Sequence, residues 1–262
     1  MASTPQQHEE LTTVEVTGPA DRKPYGWLIL VQVIAYAVLV LLSLIPFGSG
    51  ETANSVATTF MTTAVAALIV IEAFTCPYRV NASGRAIAVV AGFLALFCAT
   101  TTFMGNVMNM RDANSHQSVI LSQLPCSWAA GVGVLLIALI VVAFIRQMAR
   151  EHRTNLIEHL SKDIAISVTC IMASGWCFLP MLLQNMGMAK QDGSTTLRIA
   201  TLIIVLIVVV AAIALAAAAY IWHRSVSVPN QVHLPWLGMA LLPVMLTGAI
   251  VGLGALGMVL LG

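Results

Sequence analysis

Charge is scarce in this chain. Only 9% of its 262 residues are Asp, Glu, Lys or Arg, against 59% hydrophobic, and a soluble domain of that balance lacks the polar surface to cover itself in water. Histidine is missing from every long apolar run, since His8, His116, His152, His159, His223 and His233 all lie outside them. That excludes a haem held by two histidines within a membrane. The last apolar run has no lysine on which a retinal Schiff base could form. The stretch from Leu237 to Gly262 has no charge at all, whereas a membrane enzyme of phospholipid synthesis is expected to show a C-terminal signature rich in Asp, Lys and Gly for metal and nucleotide. No Walker, HExxH, GxSxG or dinucleotide-binding glycine pattern occurs in the segments between the runs.

What the chain does have is seven long apolar runs: Gly26 to Ile45, Ser55 to Phe74, Ala86 to Met104, Ser127 to Ile145, Ile164 to Leu183, Ile199 to Trp222, and Leu237 to Leu261. Each is about 19 to 25 residues long, enough to cross a hydrocarbon core of roughly 30 Å as a helix. Backbone groups in lipid have no water to bond to, so such runs must be helical. The expected fold class is all-α, a polytopic integral membrane protein with seven transmembrane helices. Lipid bilayer is the expected surroundings, and no nucleic-acid partner is expected.

The basic residues give the direction. Arg22, Lys23, Arg79, Arg85, Arg146, Arg150, Arg153, Lys162 and Arg224 fall on one side, and only Arg111, Lys190 and Arg198 on the other. Under the positive-inside rule the N-terminus is cytosolic and the C-terminus extracytoplasmic, in a cytoplasmic membrane. The domain organisation that follows is a disordered polar cytosolic tail over 1–25 and one seven-helix domain over 26–262. The first run is too long for a cleavable signal peptide and reads as the first span. Asn81-Ala82-Ser83 matches a glycosylation acceptor on the cytosolic side, where it is silent.

Small residues at helical spacing predict where helices meet in lipid: Ala91, Ala95 and Ala99 in the third run, Ala212 and Ala216 in the sixth, Gly248 and Gly252 in the seventh. Thr58 with Thr62 and Thr59 with Thr63 make a hydroxyl face that either packs or lines a polar path. Pro180 and Pro243 are positions for kinks. Trp27, Trp128, Trp176, Trp222 and Trp236 read as interfacial anchors near span ends. Gln32 and Tyr36 share one face of the first span, suited to a bond with another helix. Glu72 and Asp163, near inner ends, read as interfacial acids within reach of headgroups, with Arg146 as a partner.

Three features carry the functional reading. Residues 146–163 hold the densest charge, with Leu156, Ile157 and Leu160 as an apolar strip, and read as an amphipathic segment that anchors to headgroups or docks a cytosolic or membrane protein partner. Cys126 and Cys177, in near mirror-image words toward the same face, are a candidate disulfide. Cys76, Cys98 and Cys170 read as small apolar residues. Met104, Met108, Met110, Met186 and Met188 lie in outer segments, where thioethers either fill interfacial gaps or ligate Cu(I). No catalytic set and no cofactor are expected. The expectation is a non-catalytic membrane protein, permease-like or a membrane subunit of a larger assembly; the alternatives are Cu(I) handling through the outer methionines and a membrane-embedded lipid-modifying enzyme.

Overall fold

The computed structural model describes residues 25–44, 51–76, 82–107, 118–148, 156–184, 195–225 and 235–261, and among them there is no strand. Seven helical spans are long and apolar enough to cross a membrane: Gly26–Leu44, Ala57–Thr75, Ala82–Thr100, Leu124–Arg146, Leu160–Gln184, Ile199–Ile221 and Trp236–Leu260. The all-α, seven-span expectation is met. The N-terminal tail lies outside the described residues. The face at which the first span begins is called the near face below, and the opposite one the far face.

Apolarity and burial run in opposite directions. The sixth span is the most apolar, yet only 6% of it is buried within the bundle. The less apolar fifth is 78% buried. A lipid-facing helix needs only an oily surface, while a helix inside the bundle is free to carry polar groups that neighbours satisfy. The third span packs most extensively on the fifth. The seventh touches the first, second, fourth, fifth and sixth, which makes the fifth and seventh the inner pair.

The small residues lie where close approach needs them. Ala91, Ala95 and Ala99 are buried in the third span, while Ala212 and Ala216 of the sixth are half-buried. A Cβ added to Gly175 of the fifth span would run into the carbonyl oxygen of Gly248, and one on Gly248 would lie 2.6 Å from the Met172 carbonyl oxygen. The two inner helices therefore touch backbone to backbone. Gly252 leaves room for the Trp128 ring.

The third span ends at Thr100, short of the expected Met104. The Thr100 and Thr101 hydroxyls bond back to the carbonyls of Leu96 and Phe97, and Ser127 of the fourth span receives the Gly105 N–H at 3.0 Å and donates to the Thr101 carbonyl at 3.3 Å. These bonds offer the backbone an alternative to another helical turn. The chain instead forms a short helix, Phe103–Val107, lying on the fourth span.

Candidate functional site

The fifth span is interrupted where it is most deeply buried. Its α-helix runs Leu156–Ala173, tightens to a 3-10 turn over Ser174–Phe178, and resumes over 179–184. Pro180 supplies the cause. It has no N–H to give the carbonyl four residues back, that of Trp176, and its ring crowds that carbonyl. The Leu179 N–H bonds to the Trp176 oxygen instead, in the 3-10 pattern.

Polar side chains from four other spans meet this turn. Trp128 Nε1 donates to the Ser174 hydroxyl at 2.8 Å, and that hydroxyl donates to the Ile171 carbonyl at 2.7 Å. Trp176 Nε1 donates to the Val244 carbonyl of the seventh span at 2.7 Å. Thr247 reaches the same carbonyl at 2.7 Å and the Tyr36 hydroxyl at 3.3 Å. The Tyr36 and Trp176 rings lie 5.9 Å apart, and Trp128 packs edge-on to Phe178 at 5.5 Å.

These contacts correct the anchoring reading for two tryptophans. Trp128 and Trp176 are each 2% exposed, and both indoles spend their N–H inside the bundle rather than at a headgroup. Trp27, half-exposed, fits the anchoring role. Tyr36 makes the expected cross-helix bond, and Gln32 is buried beside it on the first span. The threonine face divides, with half-buried Thr62 turned toward Cys177 of the fifth span. Thr62 and Thr63 donate to the carbonyls of Thr58 and Thr59 in their own helix at 2.7 and 2.8 Å, and Thr58, Thr59 and Thr63 are exposed on the outside of the bundle.

The second polar region is at the near face. Arg146 Nη1 donates to Asp163 Oδ2 at 2.7 Å, and its Nη2 donates to the Ser83 hydroxyl, tying the fourth, fifth and third spans together. Asp163 thus has the partner expected for it. Glu72 does not behave as an interfacial acid. It is 1% exposed, and its Oε2 is buried with no hydrogen-bond partner. It shares the inward face of the second span with Val65, Ile69 and Cys76, all buried, and Ile69 together with Cys170 of the fifth span closes on Gly92 of the third. Arg85, near the start of the third span, has a buried Nε that is also without a partner.

The remaining sequence-predicted residues are the cysteines and the methionines. Cys126 and Cys177 are free thiols, as are Cys76, Cys98 and Cys170. Cys177 is held in the 3-10 turn with its sulfur 3.9 Å from the Thr62 hydroxyl. Met104 is half-buried in the short helix after the third span, facing Gly131 of the fourth, while Met108, Met110, Met186 and Met188 lie outside the described residues. Among the described residues no three His, Cys, Asp or Glu side chains converge as a metal site. Arg146 belongs to the helix Ser118–Met148, and Leu156 begins the helix that runs on into the fifth span; residues 149–155 lie outside the described ones.

Sequence reasoning placed a kink at Pro180 but did not foresee the 3-10 turn before it. Its signal was present in a proline four residues after a tryptophan within an otherwise unbroken apolar run. The chain matches no protein-family model, no curated protein and no solved structure.

Proposed function

We propose that the protein is a permease-like component of the cytoplasmic membrane, working alone or as the membrane subunit of a larger assembly, with the break in its fifth span as the place where a small polar solute meets the bundle. The interruption of the innermost helix carries this reading. An unbroken helix spends all its backbone groups on itself, whereas a broken one frees some for a solute. Irregular backbone at membrane depth is tolerated only where protein or a water-filled cavity surrounds it. Here the turn sits among Trp128, Trp176, Tyr36, Ser174 and Thr247, whose indole and hydroxyl groups are bonded within the bundle in this state and would exchange those bonds for a solute's.

The reading is tested by water access. A thiol reacts with maleimides as its thiolate, so it must meet water. Ser174→Cys and Thr247→Cys, each in a background whose five native cysteines are replaced, are reconstituted in liposomes and challenged with a small impermeant maleimide from either side. A permease exposes these positions to at least one side over time, so both variants should label. Full protection from both sides, with a control cysteine outside the membrane labelling normally, would refute the permease reading.

A further inference from the structure

Glu72 has no role in the break of the fifth span, and its setting calls for a separate explanation. An ionised carboxylate cut off from water and from any cation is among the costliest things a membrane bundle can contain. Glu72 nevertheless points inward, 1% exposed, with Oε2 unpartnered. Around it are Ile69 and Cys76 of its own segment and Cys170 of the fifth span. The second, third and fifth spans close tightly one turn deeper, where a Cβ on Gly92 would meet Ile69 at 3.0 Å and Cys170 at 3.1 Å. The seventh span, which also packs on the second, contributes no charged residue. At the same face the fifth span brings Lys162 and Asp163, and Asp163 is already bonded to Arg146.

Arg85 completes the arrangement. Glu72 stands three residues before the end of the second span at Thr75, and Arg85 three residues after the start of the third at Ala82. The two spans are adjacent and antiparallel, and Gly92 of the third meets Ile69 of the second; counted from that contact at 1.5 Å per residue, Glu72 stands about 4.5 Å and Arg85 about 10.5 Å toward the near face. Two groups of opposite sign thus sit about one turn apart in depth, Arg85 on the near-face side, each with a buried atom that bonds to nothing.

We propose that Glu72 is a proton-binding site reached from the near face: in the state described here its carboxyl carries a proton, and in a second state it releases that proton to water while its carboxylate pairs with the Arg85 guanidinium. The transfer balances, since one O–H bond breaks, the proton leaves to water, and the remaining negative charge is matched by a cation already in place. A metal cation is a poor occupant, because it asks for several oxygen ligands and the neighbours named are thiols and alkyl groups. The site stands on the burial of Glu72 and holds whether or not a solute is carried at the break.

The test uses a hydrophobic carbodiimide, which adds to protonated carboxyls in apolar surroundings, on the full protein in liposomes, read by peptide mass spectrometry. Glu72 should acquire the adduct at acid pH, and labelling should fall about tenfold per pH unit above its midpoint. Arg85→Leu removes the cation that stabilises the carboxylate, so the midpoint should rise by about one pH unit or more, while Arg85→Lys keeps the charge and should follow the wild type closely. Absence of the adduct on Glu72 at acid pH, a midpoint that Arg85→Leu leaves in place, or protection by sodium at constant pH would each overturn the proposal. None of these readouts depends on transport, so they can fail while the maleimide test of the break succeeds, and the reverse.

Discussion

Replacing Gly175 by alanine inserts one methyl group between the two innermost helices, and the structure sets what that costs. The new Cβ overlaps the Gly248 carbonyl oxygen, and the Gly252 backbone nitrogen lies 3.3 Å away. Neither neighbour is a flexible side-chain end that can swing aside, so the fifth and seventh spans must separate. Overpacking of this kind typically costs about 1–3 kcal/mol. Separation also stretches the 2.7 Å bond from Trp176 Nε1 to the Val244 carbonyl, and a buried donor left unsatisfied adds about 1–3 kcal/mol. Together the loss should be about 2–6 kcal/mol. Gly133→Ala is the matched control: nothing lies within 4 Å of its added methyl, and relief of glycine's backbone entropy should leave it neutral or more stable by about 0.5–1 kcal/mol. Reversible unfolding by sodium dodecyl sulfate in mixed micelles, followed by tryptophan fluorescence, measures both. A Gly175→Ala protein within about 0.5 kcal/mol of the wild type would mean that the helices do not touch as described.

The same titration should rank two truncations of the Trp128 to Ser174 bond. Ser174→Ala strands the buried indole N–H and should cost about 1–3 kcal/mol, whereas in Trp128→Phe the serine keeps its bond to the Ile171 carbonyl, so the hydrogen-bond part of the loss should be about 1 kcal/mol. Mass spectrometry of unreduced peptides should find Cys126 and Cys177 as free thiols, and brief alkylation of the folded protein should reach half-buried Cys126 before the four buried cysteines; a Cys126–Cys177 cross-linked peptide would contradict this. In intact cells a cysteine introduced near Arg150 should resist an impermeant thiol reagent while one near Asn114 reacts, and the opposite pattern would invert the orientation.

The spans were legible because hydrophobic length is a property of the chain alone: about 20 apolar residues cross a bilayer whatever they pack against. The glycines and the alanine row of the third span were legible for a related reason, since close helix contact in lipid has few chemical solutions. The third span's end was harder to read. Phe103 and Met104 are as apolar as the residues before them, and what stops the helix is a set of hydroxyls on Thr100, Thr101 and Ser127, the last from a different helix. The turn in the fifth span belongs between these cases, because Pro180 marked its neighbourhood while the backbone contact at Gly175 and the bond from Trp176 to Val244 depend on how the seventh span lies against it.

Position along a sequence gives depth in the membrane, but it does not give the direction in which a side chain points. Trp176 and Glu72 both lie near span ends by counting, and a residue near a span end can equally face lipid or the interior. For Trp176 the interior supplies a carbonyl acceptor, so burial is satisfied and the indole acts as a structural tie. For Glu72 the interior leaves Oε2 with nothing, and a group of that kind persists only if its neutral form is adequate in this state or if another state gives the charge a partner. The first alternative alone gives no reason for an orphaned cationic nitrogen about one turn away toward the near face on the next helix. Arg85 supplies that reason under the second, which is why its removal should move the titration of Glu72 and its replacement by lysine should not.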